Sequence, residues 1–278
     1  MLATFLQRSD KPFKVVVTVH RTSPPRFRIL SRFALSWLSN RVDHATFLTR
    51  YQADYYITKV GFTPRTWSIV PNVIPKKTID QPSVARLRRD LLGETRCDHL
   101  VVYAGRLIRS KQLDVFVRTL SVLRDMSYRV GGVIVGTGPE AYVSSLQKLA
   151  VQLSVDKLIV FAGLQERPED YLAAADLVLF PTLHEALPNL LVESYMLGRP
   201  VVMSAIAPMA DLVKDKEDSL VVREHDPILY ARAVRELLTD KALYERIAES
   251  ARVTYARSYD PFVVAEKYAQ IYMSLLRP

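Results

Sequence analysis

The stretch DLVLFPTLHEALPNLLVESYMLGRPVVMS, from Asp176 to Ser204, holds a whole structural unit in one line. Its ends, DLVLFP and RPVVMS, are short apolar runs of the kind that form strands buried on both faces. The segment between them, Pro188 to Leu197, has the length and composition of a helix. A strand, a crossover helix and a second strand in this order describe a parallel βαβ unit. One residue disturbs the reading. Glu193 stands among Leu190, Leu191, Val192, Tyr195, Met196 and Leu197, where an unpaired charge would be costly to desolvate, and a second acid, Glu185, opens the same segment.

The pattern extends in both directions. HLVVYAG (99–105), VGGVIVG (130–136), KLIVFAG (157–163) and SLVV (219–222) read as further buried strands. Helical patterns lie between or after them at 113–125, 140–153, 168–174, 228–238 and 241–255. Upstream, KVVVTV (14–19), ATFL (45–48) and WSIV (67–70) suggest a smaller series of the same kind. The class is therefore α/β, with Rossmann-like parallel sheets and helices on both faces. The polar, proline-punctuated segment 74–90 reads as the linker between two units. The expected division is 1–80, 81–257, and a terminal segment 258–278.

Composition narrows the function. The 278 residues are 49% apolar and 24% charged, which fits globular domains with sizeable cores and excludes a disordered chain. A single cysteine, Cys97, excludes an internal disulfide framework and suggests a reducing, cytoplasmic setting. The start of the chain lacks a leader pattern and is expected to be part of the structure. Five histidines are scattered without metal-ligand spacing, so no metal is expected. The net charge of +9 owes much to 20–41, where Arg21, Arg26, Arg28, Arg32 and Arg41 interleave with Phe27, Phe33 and Trp37. That segment reads as a solvated arginine face or as contact with an anionic membrane surface. No nucleic-acid motif accompanies it, so nucleic acid is not expected as a partner.

Three loops follow strand ends, where doubly wound sheets bind ligands: GRLIRSK (105–111), GTGPE (136–140) and HEALPN (184–189). Two open helices, whose N-terminal amides suit phosphate, and Arg106 and Lys111 would add counter-charge. Taken singly each is weak. GTGPE lacks the third glycine of a dinucleotide fingerprint, and Glu185 could simply favour a helix N-terminus.

Together, GRLIRSK, GTGPE, VFAG and Glu-x7-Glu followed by GRPVV resemble the donor-binding half of the family four retaining GT-B glycosyltransferases, over more than half of the chain. The resemblance implies roles. Glu193 would accept from the ribose hydroxyls of a UDP- or GDP-linked sugar, and Glu185 would face the sugar, with backbone from Ala186 through Leu187, Pro188 and Asn189 to Leu190 near the phosphates. Arg106 and Lys111 would bind the diphosphate beside Gly105, Gly136 and Gly138. Gly163 and Leu164 would meet the nucleobase, and His20 would face the sugar from the N-terminal domain. Segment 258–276 resembles the helix that returns to pack on that domain. No cofactor is implied beyond the nucleotide-sugar substrate. The acceptor would be a glycan or lipid-linked, in surface polysaccharide or lipopolysaccharide assembly.

Departures from the family pattern are visible too. Family members usually carry further strands and a glycine-rich acceptor loop ahead of the position of Lys14, so the N-terminal domain is expected to be incomplete. Its exposed sheet edge could pair with another chain in an oligomer. Ala186, Gln112 and the residue after Asn72 stand where glycine is common. The competing expectation is a non-catalytic remnant or partner subunit that binds nucleotide-sugar.

Overall fold

The computed structural model describes residues 14–20, 37, 39 and 41–276. The chain divides into two compact units, Met1–Val73 with Pro261–Pro278, and Ile74–Asp260. Of the arginine-rich segment, only His20, Trp37, Ser39 and Arg41 fall among the described residues. There the Arg41 guanidinium lies 3.6 Å from the centroid of the Trp37 ring.

In the first unit, β1 (Val16–Val19), β2 (His44–Phe47) and β3 (Thr66–Ile69) form a parallel sheet in that order. Phe47 is fully buried and meets Tyr56, Phe62 and Trp67 edge-on or tilted. Helix α1 (Arg50–Asp54) starts at Thr49, whose hydroxyl accepts from the Gln52 amide. It runs into a π-helical turn that Gly61 ends at φ 77°. Helix α9 (Pro261–Leu276) buries Val264 and Ile271 against Val70.

The second unit holds β4 (His99–Ala104), β5 (Val130–Val135), β6 (Ile159–Gly163), β7 (Leu177–Phe180), β8 (Val201–Ser204) and β9 (Leu220–Val222). All are parallel, in the order β6-β5-β4-β7-β8-β9. Helices α3 (Leu113–Asp125), α4 (Glu140–Gln152), α5 (Pro168–Ala174), α6 (Asn189–Leu197), α7 (Pro227–Thr239) and α8 (Lys241–Ser258) cross over between or follow these strands. The middle strands β4 and β7 are buried almost throughout, which is why they read as continuous apolar runs.

One expectation needs correction. Segment 74–90 is linker only as far as Asp80, and Gln81–Thr95 is a helix, α2. Asp80 caps it, its carboxylate accepting from the Ser83 amide, and Pro82 falls in the first turn, where a missing N–H costs nothing. Val84, Leu91 and Thr95 are its buried residues, and Arg88 on the same side donates to the Ala174 carbonyl and to Asp176, while Arg86, Arg89 and Asp90 are exposed. Among the described residues, no helix is long and apolar enough to cross a membrane.

Candidate active site

The strand order reverses direction between β4 and β7. Crossovers from these strands leave toward opposite sides, so a crevice must open at their carboxyl ends. Two loops form its rim, 105–111 after β4 and 181–188 after β7.

The first loop is built by packing. Gly105 leaves β4 at φ 151°, and the Tyr103 hydroxyl folds back to donate to the Arg106 carbonyl at 3.0 Å. The amides of Gly105 and Leu107 donate to the carbonyls of Val135 and Thr137, each at 2.9 Å. A Cβ at Gly136 would overlap the Gly105 carbonyl oxygen, and one at Gly138 the Leu107 carbonyl oxygen. The glycines of GTGPE thus let the two loops touch. A 3-10 turn, Arg109–Lys111, then brings Lys111 inward until it is 8% exposed. Gln112 follows at φ 48°, the left-handed conformation that makes glycine the easier residue there.

The second loop is tied to the first. The Leu183 amide donates to the Ser110 carbonyl at 2.9 Å, and the Thr182 hydroxyl to the same oxygen at 3.3 Å. This sets Lys111 against Glu185 in a direct ion pair, with the ammonium 5.7 Å from the Phe180 ring centroid. Helix α6 then begins behind Pro188, which supplies no side-chain cap. Its first amides form the positive end of a helix dipole.

These elements enclose a cleft of ≈ 400 Å³. Gly105, Arg106, Lys111, Glu185, Leu187, Pro188, Asn189, Leu190 and Glu193 all line it, so most of the residues picked out in the sequence come together. Glu193 lies there with Pro168, at the start of α5. Burial pushes its carboxyl above the usual range, the Glu169 carboxylate adds to the rise, and Lys77 opposes it.

Others stand elsewhere. Gly136 and Gly138 back the first loop and do not line the cleft. Ala186 is half-buried beside the lining. The Gly163 carbonyl accepts from the Gly136 amide at 2.7 Å, and Leu164 is 79% exposed. His20 follows β1 in the first unit, with Nδ1 3.1 Å from Asn72 Oδ1. Sequence reasoning missed Tyr103, Phe180 and Pro168, which also line the cleft. Tyr103 and Phe180 stack at 6.2 Å near the ends of the two switch-point strands, so their positions were the available signal. A larger cleft of ≈ 680 Å³ opens near the amino ends of β4 and β6. Its Arg124 and Arg129 are engaged with the carbonyls of Leu153, Ser154 and Arg96. Among the described residues, no three or more His, Cys, Asp or Glu side chains gather as a metal site would require.

Two parallel α/β units, one of them with a cleft at its switch point, fit the GT-B glycosyltransferase fold, and solved structures agree. An Anabaena protein, Alr3699/HepE, in complex with UDP and glucose superposes with a TM-score of 0.82. The match covers 94% of this chain and 72% of that one at 19% identity. The family model "Glycosyl transferases group 1" matches residues 98–240, more than half of the chain, and the chain belongs to that family. A lipopolysaccharide core biosynthesis glycosyltransferase, LpsE, of Rhizobium meliloti is 29% identical over 178 residues, covering 63% of this chain and 50% of the relative. A D-inositol 3-phosphate glycosyltransferase of Streptomyces griseus is 31% identical over 205 residues, covering 70% of this chain and 43% of the relative. The chain spans about half the length of the curated relatives it matches.

Proposed function

We propose that this chain binds a nucleotide-sugar in the switch-point cleft and transfers the sugar, with retained anomeric configuration, to a glycan or lipid-linked acceptor. The observation that carries the reading is the gathering of two cations and two carboxylates, Arg106, Lys111, Glu185 and Glu193, around one cleft at a helix N-terminus. Arg106, Lys111 and the first amides of α6 suit a diphosphate and would stabilise charge building on the leaving nucleoside diphosphate. Removing one such donor typically costs about 10²–10³ in rate. Glu193 would accept from two ribose hydroxyls, in hydrogen bonds worth about 1.5–3 kcal/mol each when one partner is charged. Glu185 would orient the sugar and, in the free chain, keeps Lys111 neutralised until phosphate replaces it. Assembly of surface polysaccharide or lipopolysaccharide is the process the similarity to LpsE favours.

The test is a transfer assay with UDP- and GDP-linked sugars and lipid-linked or oligosaccharide acceptors, the product's anomeric configuration being read by proton NMR. A product with the donor's configuration, lost in Lys111→Ala, is expected. Donor binding with no transfer to any acceptor would instead identify a non-catalytic binding protein, and an inverted product would exclude the retaining mechanism.

A further inference from the structure

Arg106 and Lys111 reach the cleft on one loop, but they are held there in different ways. Lys111 has a side-chain partner, Glu185, and its ammonium lies against the Phe180 ring. The chain on either side of it is tied down as well. The Ser110 carbonyl accepts from the Leu183 amide, and the Leu113 amide donates to the Tyr142 hydroxyl at 3.2 Å. Arg106 is exposed, and its guanidinium makes no hydrogen bond or ion pair among the described residues. With no partner to hold the side chain, its backbone fixes where it enters the cleft.

That backbone is held by a buried hydroxyl. Tyr103 is 1% exposed, and its hydroxyl donates to the Arg106 carbonyl at 3.0 Å, an oxygen that also accepts from the Ile108 amide at 3.1 Å. The ring lies so close to Gly105 that a Cβ there would stand 3.0 Å from the hydroxyl oxygen. Its orientation is set from the neighbouring strand, where Phe180 stacks on it with 27° between the planes. Tyr103 and Phe180 belong to β4 and β7, the two buried strands whose carboxyl ends open the cleft. A phenylalanine in place of Tyr103 would fill the same space and keep the same stack. What the hydroxyl adds is the bond to the Arg106 carbonyl.

We propose that Tyr103 is a positioning residue for Arg106, its hydroxyl fixing the start of the 105–111 loop so that the guanidinium enters the cleft where a diphosphate would lie. Phe180 holds the Tyr103 ring in the orientation this requires. The inference rests on the donor-site reading above. Tyr103→Phe removes the bond to the Arg106 carbonyl and leaves the ring pair in place. Arg106 then samples more directions, and affinity for a nucleoside diphosphate falls by about threefold to tenfold, the range that one hydrogen bond spans. In a chain whose Arg106 is already alanine there is no guanidinium to misdirect, and the same substitution leaves affinity unchanged.

The deciding experiment starts without nucleotide. Amide hydrogen exchange is followed by NMR in the full chain and in Tyr103→Phe, and the hydrogen-bonded amides of Leu107 and Ile108 are compared with those of β4 and β5. The expected result is faster exchange at Leu107 and Ile108, beyond any change that the strands share. Exchange raised equally in loop and strands would show that the hydroxyl stabilises the unit as a whole, and that result, or no change at all, would overturn the proposal. UDP and GDP are then titrated into the parent chain, Tyr103→Phe, Arg106→Ala and the double variant. A loss of affinity in Tyr103→Phe that vanishes in the Arg106→Ala background is expected. An equal loss in both backgrounds, or no loss in the parent background, would also overturn the proposal. Faster local exchange without nucleotide binding in any chain would uphold the hold of Tyr103 on the loop and overturn the donor-site reading, which keeps the two separable.

Discussion

Glu193 holds a carboxyl where burial and a neighbouring acid oppose its charge, so keeping it charged costs stability, a cost that the proposed donor site exchanges for binding. Its folded value lies above the unfolded one, so the folded chain keeps a proton that the unfolded chain has already lost in the window between them. Stability therefore falls as pH rises through that window, and the full cost is present above it. Glu193→Gln is expected to raise stability at neutral pH by roughly 0.5–2 kcal/mol, to lose that advantage below the ordinary carboxylate range, and to abolish nucleotide binding. Denaturant melts at two pH values check the first two points and calorimetry the third. Lys111 is subject to a similar exchange, because its free-state partner is Glu185. Glu185→Gln should bind free UDP or GDP more tightly than the parent while transferring sugar poorly, and equal affinity would show that the ion pair does not compete with phosphate.

At the scale of elements, the cleft depends on loops that hold each other in place. The Gly136 and Gly138 positions touch the backbone of Gly105 and Leu107, so Gly136→Ala or Gly138→Ala must push the 105–111 loop outward. Each should cost about 1–3 kcal/mol, as overpacking does, and weaken phosphate binding without altering a side chain of the cleft. Gly163→Ala makes a useful contrast. Nothing lies within 4 Å of its added Cβ, so only the strain of φ 67° remains and the loss should be about 1 kcal/mol. Chemical denaturation of the three variants checks the order. Helix α2 owes its start to Asp80, and Asp80→Ala should cost about 1 kcal/mol. That helix also marks a limit of local reading. Val84, Leu87 and Leu91 gave it a helical period, but a run of arginines and a proline hid this, and only packing on α5 reveals which face is buried. The strands were legible because strands buried on both faces must be apolar along their whole length. The contact of Lys77 with Glu169 was not legible, since it joins segments far apart in sequence.

At the scale of the molecule, alternation of apolar runs and helical periods was enough to announce parallel sheets, because parallel strands need crossovers. It did not give the strand order. That order follows from how each crossover packs, and it is what brings the 105–111 and 181–188 loops to one crevice. Residues matched to a family pattern thus came together for a topological reason that none of them carries alone. The glycines of GTGPE, which matched a ligand-binding pattern, also have a packing duty that the pattern did not reveal. The central claim is that the cleft between β4 and β7 is built for a nucleoside diphosphate. Calorimetric titration of the full chain with UDP and GDP, beside Glu193→Ala, tests it most directly. Saturable binding of one nucleotide by the parent chain, lost in the variant, is the predicted result, and no heat from either nucleotide, or equal binding by both chains, would contradict it.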